Sequence, residues 1–324
     1  MMFSIIIPVK EINDYIRTAM PHYKNMEFDD YEILIFPDHV DDAVANEAVF
    51  KDLGDKVRII PSGETGPAEK RDMALEYAKG EYIAFIDDDA YPAAQWLTKA
   101  YELLQGSDVG AVGGPAVTAP EDDIWQQASG KTYESKLCSA GYTYRYIPEP
   151  RRDVDDLPSV NLIVKADLFK KIGGYDSNYY PGEDTKLCLD IVNTGHRIIY
   201  DPEILVYHHR RRMFKAHLKQ ATNYAKHRGY FAKVLPQTSR KFAYFVPSLF
   251  VLGLILGPIL AIFFPFIWYI YGGVLALYFV LLALSIHKPG SFSVWILTMA
   301  GIFTTHVGYG IRFVQGLLSK ELLR

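Results

Sequence analysis

A mostly parallel α/β sheet domain followed by an all-α membrane region is the fold class that this 324-residue sequence predicts. Three observations predict it. The first part of the chain alternates short β-branched or aromatic runs with helical stretches, the pattern of a parallel sheet with crossover helices. Residues 242–286 contain no Asp, Glu, Lys, Arg or His, and from Ser291 to Ile311 the only titratable side chains are His306 and Tyr309. Between these regions, 208–241 carries Arg210, Arg211, Arg212, Lys215, Lys219, Lys226, Arg228, Lys233, Arg240 and Lys241 and no acid.

The sheet is expected to begin with 3–9, FSIIIPV, which ends at Lys10 and Glu11 and leads to helical spacing over 15–23. A second strand, YEILIF, stops at Pro37-Asp38; a helix over 41–53 and a third strand over 57–60 follow. The loop at 63–67 opens a helix over 68–79 with Lys70, Arg71 and Asp72 in its first turn. No G-x-G-x-x-G follows the first strand, which argues against a dinucleotide fold. Residues 82–86 are short, apolar and aromatic, as a strand buried on both faces must be. That strand ends in Asp87, Asp88 and Asp89, and Pro92 should stop its extension. Three acids on one lip repel one another and resist desolvation, so a counter-cation is the natural remedy. Ligands of open α/β sheets sit at this edge, and hard carboxylate oxygens suit Mg²⁺ or Mn²⁺, either of which brings a diphosphate with it. A solvated acidic turn is the plain alternative.

Residues 109–118 give a further strand and a glycine turn, and 121–146 mix Trp125 and several tyrosines with small polar residues. Residues 157–164 lead to a helix over 166–172 and to Gly173-Gly174-Tyr175-Asp176. A second acidic site, Pro181-Gly182-Glu183-Asp184, opens a helix over 185–193 that Gly195 ends. Either carboxylate would also suit the dipole of that helix. A strand over 197–200 precedes Val206–Arg212, and His209, His217 and His227 read as surface residues of a basic stretch. Within 213–234 the apolar residues at 214, 218, 221, 225 and 232 form a stripe against a basic face. A helix on a membrane interface has this pattern, and so does one packed against the α/β domain.

Residues 242–286 are too long for one crossing and fit two, with a break near Phe264-Pro265; a third apolar segment begins at 292. Three crossings are therefore expected, near 242–264, 265–286 and 292–315. Cations immediately before the first place the head on the cytoplasmic side and suit anionic lipid headgroups. Lys288 agrees, but Lys320 and Arg324 would then lie outside, so the third segment could be re-entrant. The division expected is 1–212 for the α/β domain, 213–241 for the basic helix and 242–324 for the membrane region. Cys138 and Cys188 have no metal-like spacing and fit a reducing compartment, and the N-terminus lacks the basic region of a signal peptide. The acidity of the rest of the head argues against a nucleic-acid partner.

SIIIPV with Lys10-Glu11, EILIFPD, GPAEKRDMALEYAKGEYIAFIDDDAYP, GGYD followed by PGEDTKLCLDI, and YHHRRR with Gln220 together resemble glycosyltransferase family 2 over about residues 3–230. The resemblance implies the GT-A fold and inverting transfer of a sugar from a nucleotide-diphosphate donor, with Mn²⁺ or Mg²⁺ as cofactor. It implies that Pro8, Lys10 and Glu11 border the nucleobase and ribose, and that Asp38 and Arg71 complete the base pocket. Asp87 and Asp89 match the D-x-D pair, Asp89 facing the metal and Asp87 nearer the ribose, with Asp88 and Glu183 also beside the donor. Asp184 matches the general base, His208 a position that assists the metal, and Arg211 one near the diphosphate. Processive members carry Q-x-x-R-W; here 220–224 read QATNY, which favours single transfer over a polymerising synthase. A nucleotidyltransferase on a related core would want a basic, glycine-rich loop after the first strand, and 9–13 is neither. An interface helix beside the active site suggests a lipid-linked acceptor, a polyprenyl phosphate or glycolipid.

Overall fold

The structure, a computed structural model, describes residues 1–175 and 179–322. Asp176 of the Gly-Gly-Tyr-Asp motif and Arg324 lie outside the described residues. The chain forms two compact units, one of 1–117 with 147–209, the other of 118–146 with 210–324. The aromatic stretch 121–146 thus groups with the C-terminal helices.

In the first unit, β1 (Phe3–Pro8), β2 (Tyr31–Phe36), β3 (Val57–Ile59) and β4 (Tyr82–Phe85) are followed by the short β5 (Ala90–Pro92). Then come β6 (Val109–Gly113), β7 (Ala116–Thr118), β8 (Arg152–Val154), β9 (Leu162–Lys165), β10 (Arg197–Tyr200) and β11 (Val206–His208). Eight of them form one sheet in the order β3-β2-β1-β4-β9-β6-β10-β8, and β5-β11-β7 form a small second sheet. β1, β2 and β4 are buried along their whole length, as the central strands of a sheet covered on both faces must be. They run parallel to one another, whereas β9 is antiparallel to both β4 and β6, and β8 is antiparallel to β10. The expected helix over 41–53 is broken into Asp42–Ala45 and Ala48–Lys51, and that over 68–79 into Pro67–Asp72 and Ala74–Tyr77.

In the second unit, most of the aromatic stretch is helical. Asp123 starts helix Ile124–Glu134 with a capping box: its Oδ1 accepts from Gln126 N at 3.0 Å, and Gln126 Oε1 accepts from Asp123 N at 3.3 Å. The basic stretch is helix Lys215–Val234. Three later helices, Phe242–Phe263, Ile267–Ser285 and Phe292–Leu318, are long and apolar enough to cross a membrane.

Two histidine expectations are corrected here. His209 is buried, its ring stacked 4.5 Å from that of Tyr15. His217 is fully buried, with Nδ1 2.8 Å from Ser129 Oγ and Nε2 2.9 Å from Thr305 Oγ1. Two hydroxyls satisfy the neutral ring in either tautomer, so its polarity is no bar to burial. A charged ring there is desolvated and faces Arg210, and its pKa falls to about 4. The unfolded chain protonates His217 near its ordinary value, the folded chain only near 4. Between the two, the unfolded state binds more protons, so stability is lost as pH falls through that window, by about 3 kcal/mol. Thermal unfolding at pH 7 and pH 4.5 should therefore show a larger drop in Tm for the wild type than for His217→Asn; equal drops would contradict this account.

Candidate active site

Because β1, β2 and β4 are adjacent and parallel, their C-terminal ends, Pro8, Phe36 and Phe85, lie at the same edge of the sheet. The segments leaving that edge carry Lys10 and Glu11, both exposed, then Asp38, then 87–89. The resemblance thus gathers its first-strand residues, Asp38 and the D-x-D pair onto one edge.

Helix Pro67–Asp72 ties the edge together with three consecutive residues. Lys70 is buried and donates to both the Asp38 carboxylate and the Val9 carbonyl, so Asp38 is neutralised from within the protein. Arg71, also buried, donates to Asp87 Oδ1 at 2.7 Å and to Glu183 Oε1 at 3.1 Å, with its guanidinium 5.6 Å from the Tyr175 ring centroid. Asp72 Oδ1 accepts from Tyr175 N at 2.7 Å. That bond fixes the turn after Gly174, whose φ of +76° favours glycine and whose missing Cβ would stand 2.4 Å from Asp72 Oδ1. One turn of helix therefore connects the second strand's end, the D-x-D loop and both motifs near residue 180.

The small sheet supplies His208. β5 continues from the D-x-D loop and ends at Pro92, the residue expected to stop any extension; as its last residue, a proline costs the strand little. β11 pairs antiparallel with β5, Ala90 opposite His208, and His209 N donates to Asp89 O at 2.9 Å. This register puts His208 Nε2 3.1 Å from Asp89 Oδ1. Asp87, Asp89 and His208 each present a ligand atom, and these atoms lie within 4.8 Å of one another. Two carboxylates and an imidazole are a fitting donor set for a divalent first-row ion, Mn²⁺ more readily than Mg²⁺ because Mg²⁺ takes oxygen ligands. Asp88 is turned to a different task, accepting from Asn13 Nδ2, while Asn13 Oδ1 caps the helix Asp14–Lys24.

Helix Glu183–Asn193 begins two residues earlier than expected, on Gly182 with φ +120°. Glu183 is buried; it accepts from Arg71 and, through Oε2, from Gly182 N at 2.9 Å. Burial, and next the charge of Asp184, push its carboxyl up to about 7 against the pull of Arg71. Asp184 is only half-buried and accepts from Thr185 N at 2.8 Å. Arg211 belongs to the second unit, where it is exposed. Sequence reasoning missed Lys70 and Asn13. Lys70 stands directly before Arg71, and only the close approach of its helix to β1 and Asp38 reveals its part.

Arg71 is shared by two acids, Asp87 and Glu183, so its loss strands both. Arg71→Met should cost about 3–5 kcal/mol, the range for removing one partner of a buried ion pair. Adding Glu183→Gln should recover part of that loss, because a neutral amide needs no counter-charge. Thermal unfolding of the single and double variants measures this; a double variant less stable than Arg71→Met would contradict the pairing.

The family model for glycosyl transferase family 2 matches residues 4–173. Among curated proteins, the chain is 28% identical over 151 residues to the pre-mycofactocin glycosyltransferase of Mycobacterium tuberculosis, covering 45% of this chain and 30% of that protein. It is 27% identical over 169 residues to the glucosyl-dolichyl phosphate glucuronosyltransferase of Haloferax volcanii, covering 49% of this chain and 52% of that one. The match thus spans from under a third to about half of these relatives' length. Among solved structures, the mannosyltransferase PcManGT of Pyrobaculum calidifontis, in complex with GDP-Man and Mn²⁺, superposes with a TM-score of 0.62 at 18% identity, covering 98% of this chain and 88% of that one. That likeness extends the shared fold to nearly the whole chain. A mixed sheet whose parallel strands lead into Asp38 and Asp87–Asp89, together with the match over 4–173, establishes that the chain belongs to glycosyl transferase family 2.

Proposed function

We propose that the chain is a metal-dependent inverting glycosyltransferase that moves one sugar from a nucleoside-diphosphate donor to a lipid-linked acceptor at a membrane. The observation that carries the reading is the convergence of Asp87, Asp89 and His208 ligand atoms within 4.8 Å at the C-terminal edge of the parallel strands. Those three residues would hold the ion, which when bound supplies Lewis-acid stabilisation of the departing diphosphate. Asp184 accepts the proton of the acceptor hydroxyl as its oxygen bonds to the anomeric carbon and the bond to the diphosphate breaks. No covalent nucleophile is needed. Arg71 holds the D-x-D loop to the helix that carries Asp184, through Asp87 and Glu183. Pro8, Lys10, Glu11 and Asp38 border the nucleoside.

Support for the donor comes from the structural neighbour crystallised with GDP-Man and Mn²⁺. A lipid-linked acceptor is supported by the Haloferax relative, named for a dolichyl phosphate-linked sugar, and by the three apolar helices. The cations of 208–241 favour a cytoplasmic site. The test uses purified full-length protein with Mn²⁺ and a panel of UDP-, GDP- and dTDP-sugars. One nucleotide series should raise Tm in a Mn²⁺-dependent way, and a polyprenyl phosphate or glycolipid should then trigger nucleoside diphosphate release. No stabilisation and no release across the panel would overturn the reading.

A further inference from the structure

Phe292–Leu318 is as long as a membrane crossing, but its neighbours in the second unit are those of a different kind of helix. Helix Lys215–Val234 runs beside it in the same direction. His217 meets Thr305, Lys226 meets Gly316, and Lys233 Nζ donates to Ser319 O. The two backbones nearly touch: a Cβ on Gly316 would stand 1.8 Å from Lys226 O, and one on Gly229 2.0 Å from Phe313 O. Met213 packs against Gly301 at the other end, so the pairing runs for about 27 Å, close to the ~30 Å of a bilayer's hydrocarbon core. The companion helix carries Lys215, Lys219, Lys226, Arg228 and Lys233 and no acid. Each such charge at mid-bilayer costs about 2.5–3.5 kcal/mol even on the more lenient scale. A crossing cannot take this companion with it.

The other two apolar helices behave differently. Phe242–Phe263 and Ile267–Ser285 are joined by the uncharged turn Phe264-Pro265-Phe266, and large side chains such as Leu252, Ile255, Ile262, Ile270, Val274 and Leu277 stand exposed along them. The third helix meets this hairpin at its base, among the described residues. Phe313 packs on Phe245, Ser248 Oγ donates to Gly310 O at 2.9 Å, and His306 Nδ1 is 2.9 Å from Tyr278 Oη. Trp295 Nε1 donates to Ala283 O at 3.3 Å. Among the described residues, 295–313 of the third helix thus meet 245–251 and 278–286 of the other two, as when one helix lies across a pair. Its other side meets helix Ile124–Glu134, where Thr298 Oγ1 donates to Ala128 O at 3.5 Å. What it leaves exposed is an apolar stripe interrupted over 297–310: Phe292 and Ile296 near its start, then Ile311, Val314 and Leu318 near its end, at helical spacing and with Ser293 and Gln315 also exposed.

We propose that the chain crosses the membrane twice, through Phe242–Phe263 and Ile267–Ser285, and that Phe292–Leu318 lies along the bilayer surface with its apolar stripe among the lipids, bound to the basic helix. The partner of this surface is a bilayer with anionic headgroups, which Lys215, Lys219 and Lys233, all exposed, can meet. Two crossings return Lys288, Arg312 and Lys320 to the side of the basic helix and leave only the uncharged turn across the membrane, in agreement with the positive-inside tendency. This topology stands independently of the reaction proposed above.

The test is side-specific labelling of the full-length chain in sealed membrane vesicles. Lys219→Cys, Phe264→Cys and Lys320→Cys are each made in a Cys138→Ser/Cys188→Ala background and treated with a membrane-impermeant maleimide. Lys219→Cys and Lys320→Cys should label from the same face, and Phe264→Cys should lose labelling on that face until detergent is added. Labelling of Lys320→Cys together with Phe264→Cys, or of all three from one face, would overturn the proposal. Should the cysteine-free chain not fold, a protease site appended after Arg324 reads the same question with both native cysteines in place: cleavage from the face that labels Lys219 supports two crossings, and cleavage from the other face refutes them.

Discussion

Asp184→Asn is expected to lower turnover by about 10²–10⁴-fold while leaving donor affinity near that of the wild type. The carboxylate sits in the first turn of helix Glu183–Asn193, half-buried, with Oδ1 held by Thr185 N at 2.8 Å. Asn offers Thr185 the same oxygen and serves a helix N-terminus as well as Asp does, so the fold should survive. Loss of the negative charge near the helix dipole costs about 0.3–1 kcal/mol, far short of the barrier change expected. What Asn cannot do is accept the acceptor's proton. Glu183 cannot stand in, because Arg71 and Gly182 N already hold its two oxygens inside the protein. Were Asp184 only a helix-capping group, turnover and affinity would both stay near wild type. Single-turnover transfer measured beside donor titration separates the two cases, and a normal rate in the Asn variant would remove Asp184 from the chemistry.

Much of the sheet was legible because β1, β2 and β4 are mostly apolar runs, broken by Ser4 and Glu32, that lead to polar residues at one edge, the pattern of strands covered on both faces. Strand direction was not legible. Leu162–Lys165 has the same β-branched character as its neighbours but enters antiparallel between β4 and β6, and side-chain periodicity is identical in either direction. The small sheet was missed for another reason. Ala90–Pro92 and Val206–His208 are three residues each, too short for alternation to register, and it is their pairing that brings His208 to Asp89. The acidic clusters at 87–89 and 183–184 stood out in the sequence and the family resemblance implied their roles and that of Asp38, whereas Lys70 and Asn13, which hold Asp38 and Asp88, act through contacts across 32 and 75 residues. His217 was misread because a histidine among lysines looks exposed; the two hydroxyls that bury it, Ser129 and Thr305, come from distant helices.

Metal dependence through Asp89 is the most direct test of the central claim that Asp87, Asp89 and His208 form an ion site serving sugar transfer. The measurement is the rate of nucleoside diphosphate release by the wild type and by Asp89→Ala, each in excess chelator and again after Mn²⁺ is restored. Asp89 ends a loop anchored by β4 and β5 and is itself buried, so removing its side chain takes away a charged ligand without disturbing the packed strand Tyr82–Phe85. The wild type should fall to background in chelator and recover with Mn²⁺, and Asp89→Ala should stay near background in both. Undiminished turnover of the wild type in chelator, or full recovery of Asp89→Ala with Mn²⁺, would contradict the account.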